Sequence, residues 1–290
     1  MSGVFLNPYT DYGFKKIFGE EASKPHLIDF LNTLLPAHHQ IAELEFRNTE
    51  QLGLREYDRK AIYDIFCQSS TGEQFIVELQ KSAQNYFIDR TVYYSTFPIQ
   101  KQAPKGQWDY KLSAVYCIGV LDFTFSNDSA GDVIHTVNLK NQHNEVVYDK
   151  LTLIYLEMPN FNKEESELSG HLDNWLFFLK YLEDFQEIPN IFKNTPIEHA
   201  CEVAKLGKMS DAERAVYQNS LKVLWDNHSQ ITTAYGKGQQ KGREEGIKQG
   251  IKQGRDAEKR TIALSLKQSG VDVQTIAKTT GLSVAEIDSL

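Results

Sequence analysis

Apolar and polar positions along the chain change period several times, and each change marks an element. Phe14, Ile17 and Phe18 follow Thr10 at the spacing of a buried helical stripe, with Thr10 placed to cap a helix beginning at Asp11. Leu27, Phe30, Leu31, Leu34 and Leu35 predict a second helix over 26–35, stopped by Pro36. Residues 41–47 read as a strand, and 62–67 and 75–80 as two strands joined by a turn at 69–73. A helix is expected over 86–94, then strands over 112–121, 133–139 and 151–156, of which the first is apolar enough to be buried on both faces. Trp175, Leu176, Phe178, Leu179 and Leu182 open a helical region that continues through 196–206 and 211–227. Helices before and after strands predict an α/β layered fold over a mixed sheet.

The 62–67 and 75–80 strands each carry one acid inside an apolar run, Asp64 and Glu78. Side chains alternate along a strand, so Asp64 shares a face with Ile62 and Phe66, and Glu78 with Ile76 and Gln80. If the two faces coincide, Asp64, Glu78 and Gln80 converge. A hairpin with one solvated face would also carry acids, but apolar residues flank both acids on both faces, which favours a central position. Burying an unpaired carboxylate costs several kcal/mol. Oxygen donors so placed suit a hard cation such as Mg²⁺ or Mn²⁺.

Composition changes this picture little. The chain has 290 residues, 41% hydrophobic and 24% charged, as expected of a globular protein. Cys67, Cys117 and Cys201 are far apart and form no metal-binding cluster or disulfide framework. No apolar leader or membrane-length run is visible, so the expected location is cytoplasmic. The net charge of −8 argues against a nucleic-acid partner. Residues 236–260 run the other way, with eight Lys/Arg against four Asp/Glu.

The string Asp11-Tyr12-Gly13-Phe14-Lys15-Lys16-Ile17-Phe18, with Asp64, Glu78-x-Gln80 and Arg90-x-x-x-Tyr94, resembles the Rpn family of recombination-promoting nucleases, also described as PD-(D/E)xK transposase-like proteins. The resemblance covers roughly the first 230 residues and extends to the glycine-rich tail. It implies a restriction-endonuclease-like core and an Mg²⁺- or Mn²⁺-dependent endonuclease acting on DNA, in recombination, mobile elements or phage conflict. Asp64, Glu78 and the Leu79 carbonyl would hold the metal. Gln80 stands where the wider superfamily has Lys, although Gln is usual in the Rpn-like pattern; Arg90 is then the candidate for the missing cation, and Tyr94 its neighbour one helical turn on. Lys81 is expected on the opposite strand face. Asp11 and Glu20 are candidate supporting acids, with helix capping or a helix-dipole role the alternative for either. The competing expectation is a catalytically weak or inactive nuclease fold that binds DNA or protein and forms homo-oligomers through its tail.

The expected organisation is a nuclease-like core over 1–160, a helical extension over 161–235 packed on that core, a glycine-rich charged linker or helix over 236–260, and a small helical module over 261–290. Gly238, Gly242, Gly246, Gly250 and Gly254 recur every fourth residue. Each lowers helix stability by about 1 kcal/mol relative to Ala, which favours a flexible or conditionally helical linker. Ser283 and Glu286 form a capping-box pattern. Residues 275–283 resemble a helix-turn-helix without a basic recognition helix, pointing to docking or dimerisation rather than base reading.

Overall fold

The computed structural model describes residues 3–51, 60–103, 106–124 and 131–290. The chain forms two compact units, Met1–Lys222 and Val223–Leu290.

The first unit is built on a six-stranded mixed sheet of order β1-β4-β5-β6-β8-β7. Its strands are β1 (Leu44–Phe46), β4 (Ile65–Ser69), β5 (Gln74–Gln80), β6 (Val115–Leu121), β7 (Ile134–Lys140) and β8 (Val146–Glu157); β2 (Glu50–Gln51) and β3 (Ala61–Ile62) form a separate two-stranded ribbon. β4 and β5 are antiparallel neighbours, whereas β5–β6 and β6–β8 are parallel. A parallel pair needs a crossover, and helix α3 (Phe87–Lys101) supplies it between β5 and β6. All seven residues of β6 are buried, as its unbroken apolar run requires.

Alternation along the strands sorts the core into two layers. Ile65, Cys67, Phe75 and Val77 join the cluster that also contains Phe14 and Phe18 of α1 (Asp11–Phe18), Phe30 of α2 (Lys24–Leu34), Trp175 of α4 (His171–Tyr181) and Ile197 of α5 (Pro196–Val203). Phe66 and Ile76 face the other way, into a cluster with Tyr63, Phe87 and Phe97 beneath α3. Thr10 caps α1 by accepting from the Gly13 amide at 2.9 Å. Gly13 is required by close approach: a Cβ there would lie 2.3 Å from the Asn7 carbonyl oxygen. The glycine of the Asp11-x-Gly13 string is therefore a packing residue.

The expected strand over 62–67 is broken. β3 ends at Ile62, β4 begins at Ile65, and Tyr63 and Asp64 form the bend between them. Ile62 pairs with Glu50 of β2, while Ile65 pairs with Val77 of β5, so the chain changes partners at Asp64. Ile62 is 62% exposed and Phe66 is 6% exposed, so the face expected to hold both does not exist. Lys60 pairs with Glu50 at 2.6 Å; Arg59, the other cation leading into this segment, lies outside the described residues.

Helix α6 spans Asp211–Gln268 and carries all five tail glycines within it. The second unit contains its later portion together with α7 (Val273–Thr280) and α8 (Val284–Asp288). A small core of Ala263, Ile276 and Ile287 holds these helices together. Gly281 ends α7 in the left-handed region, and Ser283 and Glu286 cap α8 reciprocally. Among the described residues, no helix is long and apolar enough to cross a membrane.

Candidate active site

The β4–β5 hairpin sets the site through its register. Phe66 pairs with Ile76 across the hairpin. Counting two residues outward on each strand brings Asp64 opposite Glu78, just past the last ladder pair. The Asp64 amide approaches Glu78 Oε1 at 3.3 Å, and Asp64 Oδ2 accepts from the Leu79 amide at 2.7 Å. The bend that breaks the strand is thus what turns the Asp64 carboxylate onto the β5 backbone.

Both acids are held from water. Burial is the largest influence on Asp64 and raises its pKa, against the Leu79 hydrogen bond and the nearby Lys15 charge. Glu78 is pushed up to about 8, first by burial and then by the Asp64 charge. Two desolvated carboxylates that repel one another favour either a shared proton or a cation.

Gln80 and Arg90 are also brought together. Arg90 donates to Gln80 Oε1 at 2.5 Å and to Gln84 Oε1 at 2.8 Å, and Gln80 Nε2 donates to the Ser82 carbonyl at 3.0 Å. The guanidinium lies 5.7 Å from the Phe87 ring centre and 5.6 Å from that of Tyr94. The Tyr94 carbonyl in turn accepts from the buried Tyr63 hydroxyl at 2.9 Å, tying α3 to the bend. Arg90, Glu78 and Tyr94 line a cavity of about 10 Å³ between α3 and the sheet. Two larger cavities, of about 640 and 410 Å³, have linings that include neither Asp64 nor Glu78.

The two supporting acids separate. Asp11 pairs with Lys15 at 2.7 Å, and its charge reaches both Asp64 and Lys81. Glu20 instead pairs with Lys16 at 3.2 Å and lines the cavity of about 410 Å³ beside His199 and Glu213.

Gly119 was not singled out by sequence reasoning. It pairs with Glu78 in the β5–β6 ladder, and a Cβ there would lie 3.2 Å from Tyr155 and 3.7 Å from Phe87. Its bare backbone leaves room for α3 to approach Glu78. A lone glycine inside an otherwise apolar strand was the available signal.

Among the described residues, no group of three or more His, Cys, Asp or Glu side chains could hold a metal ion. The side-chain donors at the site are therefore the oxygens of Asp64 and Glu78. That set fits a hard divalent cation that keeps several waters, and does not fit zinc, which takes three or four protein ligands rich in nitrogen and sulfur.

A mixed sheet between helical layers, with two buried acids at adjacent strand ends, defines a nuclease-like α/β protein. The family model described as PD-(D/E)XK nuclease family transposase matches residues 8–234, and the chain belongs to that family. No significant match is found among curated proteins or among solved structures.

Proposed function

We propose that this protein is a metal-dependent DNA endonuclease. The observation that carries the reading is the Asp64–Glu78 pair, two buried carboxylates beside one another with no cationic side chain hydrogen-bonded to either among the described residues. Removing such a pair from water without compensation is unfavourable, and a divalent cation is the compensation that an all-oxygen donor set accepts. Asp64 and Glu78 would hold Mg²⁺ or Mn²⁺, together with the Leu79 carbonyl. What the bound ion supplies is charge beside the phosphoryl oxygen and a water of lowered pKa.

The chain's own residues prepare the site for it. The Leu79 amide orients the Asp64 carboxylate. Gln80 acts by position, because its amide is engaged by Ser82 and Arg90. Arg90 joins β5 to α3 and keeps a positive charge near Glu78, one of the influences that favour its ionised form. The setting in recombination, mobile-element movement or phage conflict follows from the family and is part of the same proposal.

The test is plasmid cleavage by the full-length protein with Mg²⁺, Mn²⁺, Ca²⁺ or EDTA, alongside folded Asp64→Ala and Glu78→Ala. Metal-dependent nicking lost in both variants is the expected result. A folded protein that cuts nothing under any metal, while binding DNA or a protein partner equally well after Asp64→Ala, would overturn the reading in favour of a non-catalytic binding module.

A further inference from the structure

A site that cuts DNA must attract a phosphate to a place crowded with carboxylates. Asp11, Asp64, Glu78 and Asp122 gather near the end of β5, with Lys15, Lys81 and Arg90 as the nearby cations. Four acids against three bases leave the neighbourhood negative by about one charge, and a divalent ion makes it positive by about one. Each cation therefore matters to whether the site attracts or repels a phosphate.

The three cations are not equally available. Arg90 is engaged by Gln80 and Gln84 and stacked between Phe87 and Tyr94. Lys15 is paired with Asp11 at 2.7 Å. Lys81 differs from both. It is the first residue beyond β5, and strand alternation places it with Val77 and Leu79, on the face that packs against α1 rather than the face of Glu78. Asp122, at the matching end of β6, donates its amide to the Gln80 carbonyl at 2.9 Å and so lies beside it. Lys81 is half-buried, and its ammonium feels Asp11, Asp64 and Asp122 without a hydrogen bond or ion pair to any of the described residues. Its expected position on the opposite strand face does not remove it from the site, because the bend lets Asp64 sense charges from both layers, Lys15 on one side and Arg90 on the other.

We propose that Lys81 is the residue that contacts the scissile phosphate, its ammonium donating to an anionic oxygen seated beside Asp64. The inference rests on the endonuclease reading of the Asp64–Glu78 pair. A lysine suits the task because its charge is compact and its three donors rotate freely, so it binds phosphate without the fixed fork that Arg90 has already committed. The surrounding carboxylates keep it charged and hold it close without saturating it.

The test compares full-length wild type, Lys81→Met and Lys81→Arg. Affinity for a short fluorescein-labelled DNA duplex is read by anisotropy with Ca²⁺ across a range of salt, thermal stability by melting, and nicking with Mg²⁺. Lys81→Met should melt at or above the wild-type temperature, lose nicking at least about tenfold, and lower the slope of log affinity against log salt by about 0.9, the signature of one lost phosphate contact. Lys81→Arg should recover the slope. Wild-type slope and nicking in Lys81→Met would overturn the inference. A lowered melting temperature with an unchanged slope would overturn it too, by showing a brace among carboxylates. Wild type that neither binds nor cuts would sink the endonuclease reading and this inference with it; wild type that binds without cutting leaves the slope to decide.

Discussion

Asp64 and Glu78 hold one another through the backbone: the Asp64 amide points at Glu78 Oε1, and the Asp64 carboxylate accepts from the amide directly after Glu78. Each acid is therefore positioned by the peptide chain rather than by a cationic partner. Burial then raises both pKa values, and the charge of Asp64 raises that of Glu78 further.

The first consequence is a pH dependence of stability in metal-free protein. Glu78 has an ordinary value of 4.5 and is raised to about 8 on folding, so between those values the folded chain keeps a proton that the unfolded chain has released. Stability from this group is then greatest at low pH and falls as pH rises toward 8. Asp64 acts in the same direction. In EDTA, wild type should lose melting temperature between pH 5 and 8 relative to Glu78→Gln, and parallel curves would contradict the assignment.

Metal addition should reverse that loss. At pH 8, saturating Mg²⁺ should raise the melting temperature of wild type, because an ion bound only by the folded state stabilises it by mass action. At one hundred times the dissociation constant the gain is about 2.7 kcal/mol. Asp64→Asn and Glu78→Gln should show little of it. Equal shifts in all three proteins would place the ion elsewhere.

Arg90→Ala should destabilise the fold as well as impair cleavage. It removes the charged donor from Gln80 and Gln84 and the stacking on Phe87 and Tyr94. Hydrogen bonds to a charged group contribute about 1.5–3 kcal/mol, and a loss of that order should appear in urea unfolding. Arg90→Lys should recover only part, since an ammonium cannot reproduce the planar fork.

Gly119→Val tests the close packing beside Glu78. Its Cβ would crowd Tyr155 and Phe87, and its methyl groups would press α3 away from the sheet. Overpacking of this kind costs about 1–3 kcal/mol. Nicking should fall more steeply than stability, because displaced α3 carries Arg90 with it; activity loss no greater than the unfolding loss would argue against that coupling.

The tail glycines can be tested without touching the site. A Cβ at Gly238, Gly242, Gly246, Gly250 or Gly254 would meet nothing within 4 Å. Replacing them with Ala should strengthen this part of α6 by about 1 kcal/mol per position, seen as slower amide exchange from 236 to 256. Unchanged exchange would mean that the glycines are not limiting helix stability.

Much of the fold was legible in the residues themselves. Period-two alternation put Asp64 opposite Glu78, a 3.6-residue stripe marked α1 and α2, and the apolar run of β6 announced a buried strand. These are local patterns, and each is written in a window shorter than twenty residues. The reading stopped where local continuity misled. A strand drawn through Asp64 followed its apolar neighbours, whereas pairing of Ile62 with β2 and Ile65 with β5 bent the chain there. The helix expected over 211–227 continues to Gln268, because intrahelical hydrogen bonds can sustain a helix through glycines that weaken it without breaking it.

By itself, then, the sequence determined the element types, the shared face of the two acids and the family string around Asp11 and Glu78. Only the tertiary structure decided that Arg90 is engaged by Gln80, that Gly119 opens space beside Glu78, that Glu20 pairs away from the site, and that Lys81 stands among three carboxylates. The physical reason is that a side chain's face is set by its own strand or helix, while its neighbours are set by which distant strands pair and in what order.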